Sequence, residues 1–152
     1  MKTQYILKNE NGTFYYSDKK MTKLHREDGP AVEYSYGTKY WYLNGQRHRE
    51  DGPAVECSDG TKSWYLNGQL HREDGPAIEW ADGNKSWYLN GNLHREAGPA
   101  IEWADGSKTW YLNGQILSKA EWEKRVMKKT ININGKPFTL EELNALIASV
   151  KK

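Results

Sequence analysis

Cysteine occurs once, at Cys57, so no disulfide can close within the chain, and a reducing compartment is the expected setting. No apolar run approaches the roughly 18 residues of a membrane-spanning helix, and no leader-like pattern marks the first residues. The expectation is a soluble, cytoplasmic protein. Phenylalanine appears only twice and Leu, Ile and Val are sparse, a composition that by itself would suggest disorder. Seven Trp and ten Tyr reverse that, because they supply the missing apolar surface. Also missing are a phosphate-cradling glycine loop, a Cys/His metal spacing and a nucleophile motif. No catalytic residue, no metal ligand and no cofactor is therefore expected.

What the chain does have is a repeat. His25, His48, His71 and His94 are spaced by 23, and the residues between them follow the same period. "HREDGPAVECSDGTKSWYLNGQL" is followed by "HREDGPAIEWADGNKSWYLNGNL" and then by "HREAGPAIEWADGSKTWYLNGQI". Self-similarity this strict belongs to architectures in which each unit stacks on its neighbours.

Glycine punctuates each unit. "NG" at 44–45, 67–68, 90–91 and 113–114 is a hairpin signal, because Asn and Gly both tolerate positive φ. "DG" at 59–60, 82–83 and 105–106 reads as a second tight turn, and "DGP" or "AGP" as a looser corner. Between the turns lie "AIEW", "KSWYL" and "NLHR", which read as two clear strands and one short one. Two-residue loops at both tight turns set Ile78 opposite Trp87, Trp80 opposite Lys85, Trp87 opposite His94 and Tyr88 opposite Leu93. One face then carries Val or Ile, Trp, His and the series Tyr34, Cys57, Trp80, Trp103; the other carries Ala, Tyr and Leu. Trp80 over Lys85 and Trp103 over Lys108 would add cation–π attraction.

His, Arg, Glu and Asp side by side resemble the material of an active site, but the cluster is written four times. Catalysis needs one preorganised constellation. The cluster therefore reads as structural: His opposite Trp, Arg and Glu pairing with their copies one repeat away, and Asp28, Asp51 and Asp74 at the corner before Gly-Pro. The fourth copy replaces that Asp with Ala97.

Residues 1–24 read as a capping half-repeat whose hairpin covers the first edge. Residues 25–117 are the four repeats, and residues 118–152 a helix–hairpin–helix cap. Ser118 with Glu121 and Thr139 with Glu142 are capping boxes. Trp122 and Val126 share one helix face, and Leu140, Leu143, Ile147 and Val150 form a stripe on the second helix. The fold class is mainly β: an elongated single-layer antiparallel meander of four 23-residue repeats with a small C-terminal α+β cap. At about 4.8 Å per strand, two principal strands per repeat extend the array by roughly 40 Å.

The net charge of +2 conceals a segregation. Residues 25–117 hold nine Lys or Arg against fourteen Asp or Glu, a balance of −5, while 1–24 sum to +3 and 118–152 to +4. An acidic array is unsuited to tracking phosphates, so no direct nucleic-acid binding is expected.

The unit with "ADG", an aromatic strand, "NG" and a His ahead of the next glycine resembles a divergent MORN repeat. It is most similar to the "LHREDGPA…WYLNG" subtype of phage and large-virus proteins, over residues 25–117. "SWYL" stands where the family's usual aromatic core lies, and "HREDGP" where it has "HG-x-G". The resemblance implies a single-layer antiparallel sheet acting as a binding scaffold, with no catalytic residues. The expected function is a non-enzymatic protein-binding scaffold, in concrete form a phage-type inhibitor of a host defence or nucleic-acid enzyme, working in the host cytoplasm. A small-ligand or nucleotide sponge and a membrane-surface adaptor are the alternatives, membrane being the weaker expectation; self-association is a further one. Tyr and Arg favour contact surfaces. The expected partner face is therefore Tyr42, Tyr65, Tyr88 and Tyr111 with Arg49, Arg72 and Arg95, and with Glu33, Glu56, Glu79 and Glu102.

Overall fold

A computed structural model describes residues 4–127, 130–133 and 135–150. Among them, eleven strands form one long antiparallel sheet. It begins with the hairpin Tyr5–Asn9 and Gly12–Tyr16, which pairs with the first repeat through Thr13 opposite Glu33 and Phe14 opposite Val32. Each repeat then adds two strands: Val32–Tyr34 with Lys39–Tyr40, Val55–Glu56 with Lys62–Ser63, Ile78–Glu79 with Lys85–Ser86, and Ile101–Glu102 with Lys108–Leu112. Gln115–Leu117 is the last strand. Eleven strands at about 4.8 Å extend roughly 50 Å.

The "NG" turns form a second column of short hairpins, Tyr42–Leu43 with Gln46–Arg47, Tyr65–Leu66 with Gln69–Leu70, and Tyr88–Leu89 with Asn92–Leu93. Asn67 and Gly68 have φ of 49° and 81°, and the other three copies match them, so these are the expected two-residue turns. Each hairpin is stitched to the one before it: the N–H of Gly68 donates to Arg47 O at 2.8 Å, and that of Gly91 to Leu70 O at 2.9 Å. Tyr88 lies opposite Leu93, and the N–H of His94 donates to Trp87 O at 3.0 Å, as the spacing predicts.

The "DG" turn differs from expectation. Ile78 lies opposite Ser86 and Glu79 opposite Lys85, so Trp80 faces Asn84 rather than Lys85, and the loop has three residues, 81–83. Only the glycine has positive φ, 91° at Gly83. The left-handed glycine is common to all four copies, since 35–37 forms the same three-residue loop with Tyr36 in the Asp position and Gly37 at φ 99°; in the other three the Asp side chain adds a bond. Asp82 Oδ1 accepts the N–H of Asn84 at 3.0 Å, as Asp59 does for Thr61 and Asp105 for Ser107 at 2.8 Å. Such a bond to the backbone two residues on favours a type I turn closed by a left-handed glycine.

A slip of one residue reverses the faces. Ile101 and Thr109 share a side with Tyr111, while Glu102 and Lys108 share the other with Trp110. Trp41, Trp64, Trp87 and Trp110 therefore lie with Ala31, Ala54, Ala77 and Ala100, not with Val32, Val55, Ile78 and Ile101. The four alanines are fully buried and form the spine of the core, while among the described residues no large side chain is fully buried. The predicted pairs of Trp80 with Lys85 and Trp103 with Lys108 do not form; both indoles are exposed at the turn edge.

After Leu117 the chain enters helix α1 (Lys119–Met127), which packs on the last two strands of the sheet. Its capping box is made as expected: Ser118 Oγ and the Ser118 N–H both donate to Glu121, and the Glu121 N–H donates back to Ser118 Oγ. Trp122 and Val126 are half-buried. The hairpin Thr130–Ile133 with Lys136–Thr139 leads into α2 (Leu140–Val150). There Leu143 is half-buried and Ile147 exposed; the side chains of Thr139, Leu140 and Val150, and the turn residue Asn134, lie outside the described set.

Candidate interaction surface

At the "HREDGP" corner, one arginine organises everything around it. Arg49 Nε donates to Asp51 at 2.9 Å, and its Nη1 donates to Pro53 O at 3.2 Å and to Glu56 at 3.0 Å. The guanidinium lies 4.2 Å over the Trp41 ring. Arg72 repeats this over Trp64 at 4.0 Å, and Arg26 over Tyr15 at 4.0 Å. Glycine follows because a Cβ on Gly52 would fall 2.9 Å from Arg49 Cζ, and one on Gly75 2.8 Å from Arg72 Cζ. The Arg–Asp and Arg–Glu pairs close within one repeat, not between repeats as the sequence suggested, while the ring under Arg49 or Arg72 belongs to the preceding repeat. The arginine beside Asp28, Asp51 and Asp74 holds each carboxyl below its ordinary pKa.

The histidine ties the two ends of its own repeat together. Nδ1 of His48 accepts the N–H of Asn67 at 3.1 Å, and Nδ1 of His71 that of Asn90 at 3.2 Å. His25 and His94 do the same for Asn44 and Asn113. Nδ1 of His48 also lies 3.0 Å from Asn67 Oδ1, and that of His71 2.9 Å from Asn90 Oδ1, so both ends of the asparagine meet one ring nitrogen, while Nε2 of His48 faces Glu50 at 3.6 Å. Each "NG" turn thus packs against the imidazole that opens its own repeat.

Between successive corners lie grooves. The first is a cavity of about 710 Å³ with Trp41 and Leu43 at its base and Arg26–Asp28 and His48–Asp51 as walls. The second, about 490 Å³, has Trp64 and Leu66 at its base, walled by residues 49–53 and 71–74. Their rims are acidic: the side chains of Glu50 and Glu73 are 84% and 83% exposed. At the fourth corner the second wall is α1, where Leu117 and Ser118 replace His and Arg. Trp122 Nε1 reaches across to donate to Arg95 O at 2.9 Å. Glu96 there falls to 33% exposure.

The opposite face carries the tyrosines. Tyr42, Tyr65, Tyr88 and Tyr111 are half-buried in a column. Burial raises the pKa of Tyr88, with Tyr111 and Tyr65 adding to it. Arg47 bridges the first two copies, donating to the hydroxyls of Tyr42 and Tyr65 at 3.3 Å each. Further along this face Tyr34 meets Phe14, Tyr36 and Tyr40, and Cys57 is half-buried, its thiol pKa raised by burial and then by Asp59.

The predicted partner residues therefore divide. Tyr42, Tyr65, Tyr88 and Tyr111 stay together, but Arg49, Arg72 and Arg95, with Glu33, Glu56, Glu79 and Glu102, lie on the tryptophan side and bond to one another. Sequence reading missed Arg47 and the grooves. The signal for Arg47 was available: its position is Leu70, Leu93 and Ile116 in the later copies. No family model matches the chain, and neither the curated proteins nor the solved structures contain a match.

Proposed function

We propose that the chain is a non-catalytic protein-binding scaffold that presents its acidic grooves and its tyrosine column to a partner protein. The observation that carries this reading is the fate of the "HRED" side chains. Each arginine is committed to Pro O, Glu and an aromatic ring, and each His Nδ1 to an Asn N–H. Groups so occupied hold a surface in shape, whereas catalysis needs a base free to take a proton. Grooves with an aromatic base and charged rims suit protein contact.

The same rims disfavour the alternatives. Exposed Glu27, Glu50 and Glu73 would repel nucleotide phosphates and anionic headgroups. They give the inhibitor form of the proposal a physical basis, because an enzyme that grips nucleic acid offers a basic surface in complement. The resemblance to phage repeat proteins points the same way.

The test is affinity capture from lysate with the wild-type chain and a Glu50→Lys, Glu73→Lys variant, beside nucleotide titrations and sedimentation with anionic vesicles. Capture of a defined protein by the wild type and its loss in the variant is the expected result. Binding of nucleotides or vesicles without protein capture would overturn the reading.

A further inference from the structure

The first repeat breaks, at three places, a pattern that the other three repeats share. Tyr36 stands where they have Asp59, Asp82 and Asp105, Tyr40 where they have Ser63, Ser86 and Thr109, and Arg47 where they have Leu70, Leu93 and Ile116. The three replacements converge on the tyrosine side. Arg47 lies 5.3 Å over the Tyr40 ring, Tyr40 meets Tyr34 edge-on at 5.9 Å, and Tyr36 stacks on Tyr34 at 5.0 Å. Departures from a repeat that gather at one spot are the mark of a site rather than of the scaffold. Charge changes with them: the first copy loses a carboxylate at its turn and gains a guanidinium. Arg26, Arg49, Arg72 and Arg95 each hold a glutamate. Among the described residues, no carboxylate comes within ion-pair distance of Arg47, whose bonds go to the phenol oxygens of Tyr42 and Tyr65 at 3.3 Å each. A half-buried guanidinium with neutral acceptors lacks its strongest kind of partner. Beside it the Tyr36 ring, already stacked on one side, is left 62% exposed.

We infer that this cluster docks an acidic side chain of a partner protein that carries an aromatic residue close by in its sequence. This rests on the scaffold reading and names the partner chemistry of the tyrosine face. The carboxylate takes the Arg47 guanidinium in a charge-assisted bond stronger than those the two phenols now accept. The hydroxyls of Tyr42 and Tyr65, released from Arg47, turn their protons to the same carboxylate. The partner's ring lies on Tyr36 and extends a stack that Tyr34 begins. Charge complementarity selects an acidic segment, because this copy has one carboxylate fewer and one cation more than its neighbours.

The probe is the synthetic peptide acetyl-EGWGE-amide, titrated into the full-length protein and followed by NMR at the Arg47 Nε–H and the Tyr36 ring. Saturable shifts of both signals are expected. The uncharged peptide acetyl-QGWGQ-amide should bind about tenfold more weakly, since a bond to a charged group is lost. The ringless acetyl-EGAGE-amide should be weaker too. In the protein, Arg47→Leu and Tyr36→Asp install what later copies carry at those positions, so the fold is kept, and circular dichroism confirms it. Each should weaken the EGWGE peptide, Arg47→Leu by about tenfold. Equal affinity for the uncharged peptide, or undiminished binding by the folded Arg47→Leu protein, would overturn the proposal and leave the cluster to the packing of the first repeat. So would shifts confined to the Trp41 and Trp64 indoles, which place the peptide in the grooves. Phenyl phosphate binding as tightly as the peptide would also sink it, because the site would then take a small anion and not a protein segment. If the peptide fails while lysate capture persists, the docking chemistry is wrong and the scaffold reading stands; if capture fails too, both fall.

Discussion

The first three corners and the fourth are nearly identical in sequence, yet they hold their arginine differently. Arg26, Arg49 and Arg72 are pulled by an aspartate two residues on, at 2.8, 2.9 and 2.9 Å. Arg95 has Ala97 at that place. Its guanidinium settles closer to its ring, 3.8 Å over Trp87, and closer to its glutamate, 2.6 Å from Glu102. Gly98 differs too, with φ of 158° where the other three corner glycines have none in the positive range, and an added Cβ there would lie 3.3 Å from Arg95 Cζ. The comparison separates two jobs within one motif. Glutamate and an aromatic ring hold the arginine in place, and aspartate, where present, adds a second carboxylate to it. Where the array ends against α1, only the first job remains.

The largest test of that division removes the arginine itself. Arg72→Ala deletes a stacked cation and leaves Glu79 and Pro76 O without their donor. Hydrogen bonds to charged groups contribute roughly 1.5–3 kcal/mol, so a loss of about 2–3 kcal/mol is expected by urea denaturation. Arg95→Ala should cost less, because one of its bonds is already missing. Equal losses would mean that the aspartate contact stabilises nothing and that the corners are energetically the same.

The histidine comes next. His71→Phe keeps a flat ring beside the "NG" turn of its own repeat but removes the Nδ1 that meets the Asn90 N–H and side chain. One lost hydrogen bond predicts a loss of about 1 kcal/mol. His94→Phe should behave alike, since His94 accepts from Asn113 at 3.1 Å in the same way. Lysate capture should survive His94→Phe, whose ring lines neither of the two grooves described. If binding disappears at unchanged melting temperature, the imidazole belongs to the partner surface and not to the fold.

These contacts also show where sequence reasoning succeeded. The period of 23, the "NG" turns, the opposition of His and Trp and the Ser118–Glu121 box are local or exactly periodic signals, and each is present. The reversal of the faces came from one turn. "DG" permits a two-residue loop or a three-residue loop, and all four copies take the three-residue form, including the first, where Tyr36 replaces the Asp. Because strand side chains alternate, that single residue moved every tryptophan to the alanine side and detached Arg49, Arg72 and Arg95 from the tyrosines. The grooves were illegible for a different reason: they are spaces between copies, created by stacking rather than by any one repeat.

The smallest expected effect is the most specific to the comparison. Ala97→Asp should restore to the fourth corner what the other three have, and Asp74→Ala should remove it from the third. The aspartates are fully exposed, so both changes in melting temperature will be small, upward for the first and downward for the second. Their pH dependence identifies them. The carboxyl of Asp74 is held below its ordinary value by the hydrogen bond and then the charge of Arg72, so its folded pKa lies under the unfolded one. Its contribution is therefore present above about pH 4 and lost as pH falls through the folded value. Melting curves at pH 7 and at progressively lower pH should show the Asp74→Ala deficit shrinking towards zero, and the Ala97→Asp gain shrinking with it. A deficit that persists unchanged in acid would show that Asp74 acts through the backbone of the corner and not through the arginine, and the division between the first three corners and the fourth would lose its electrostatic basis.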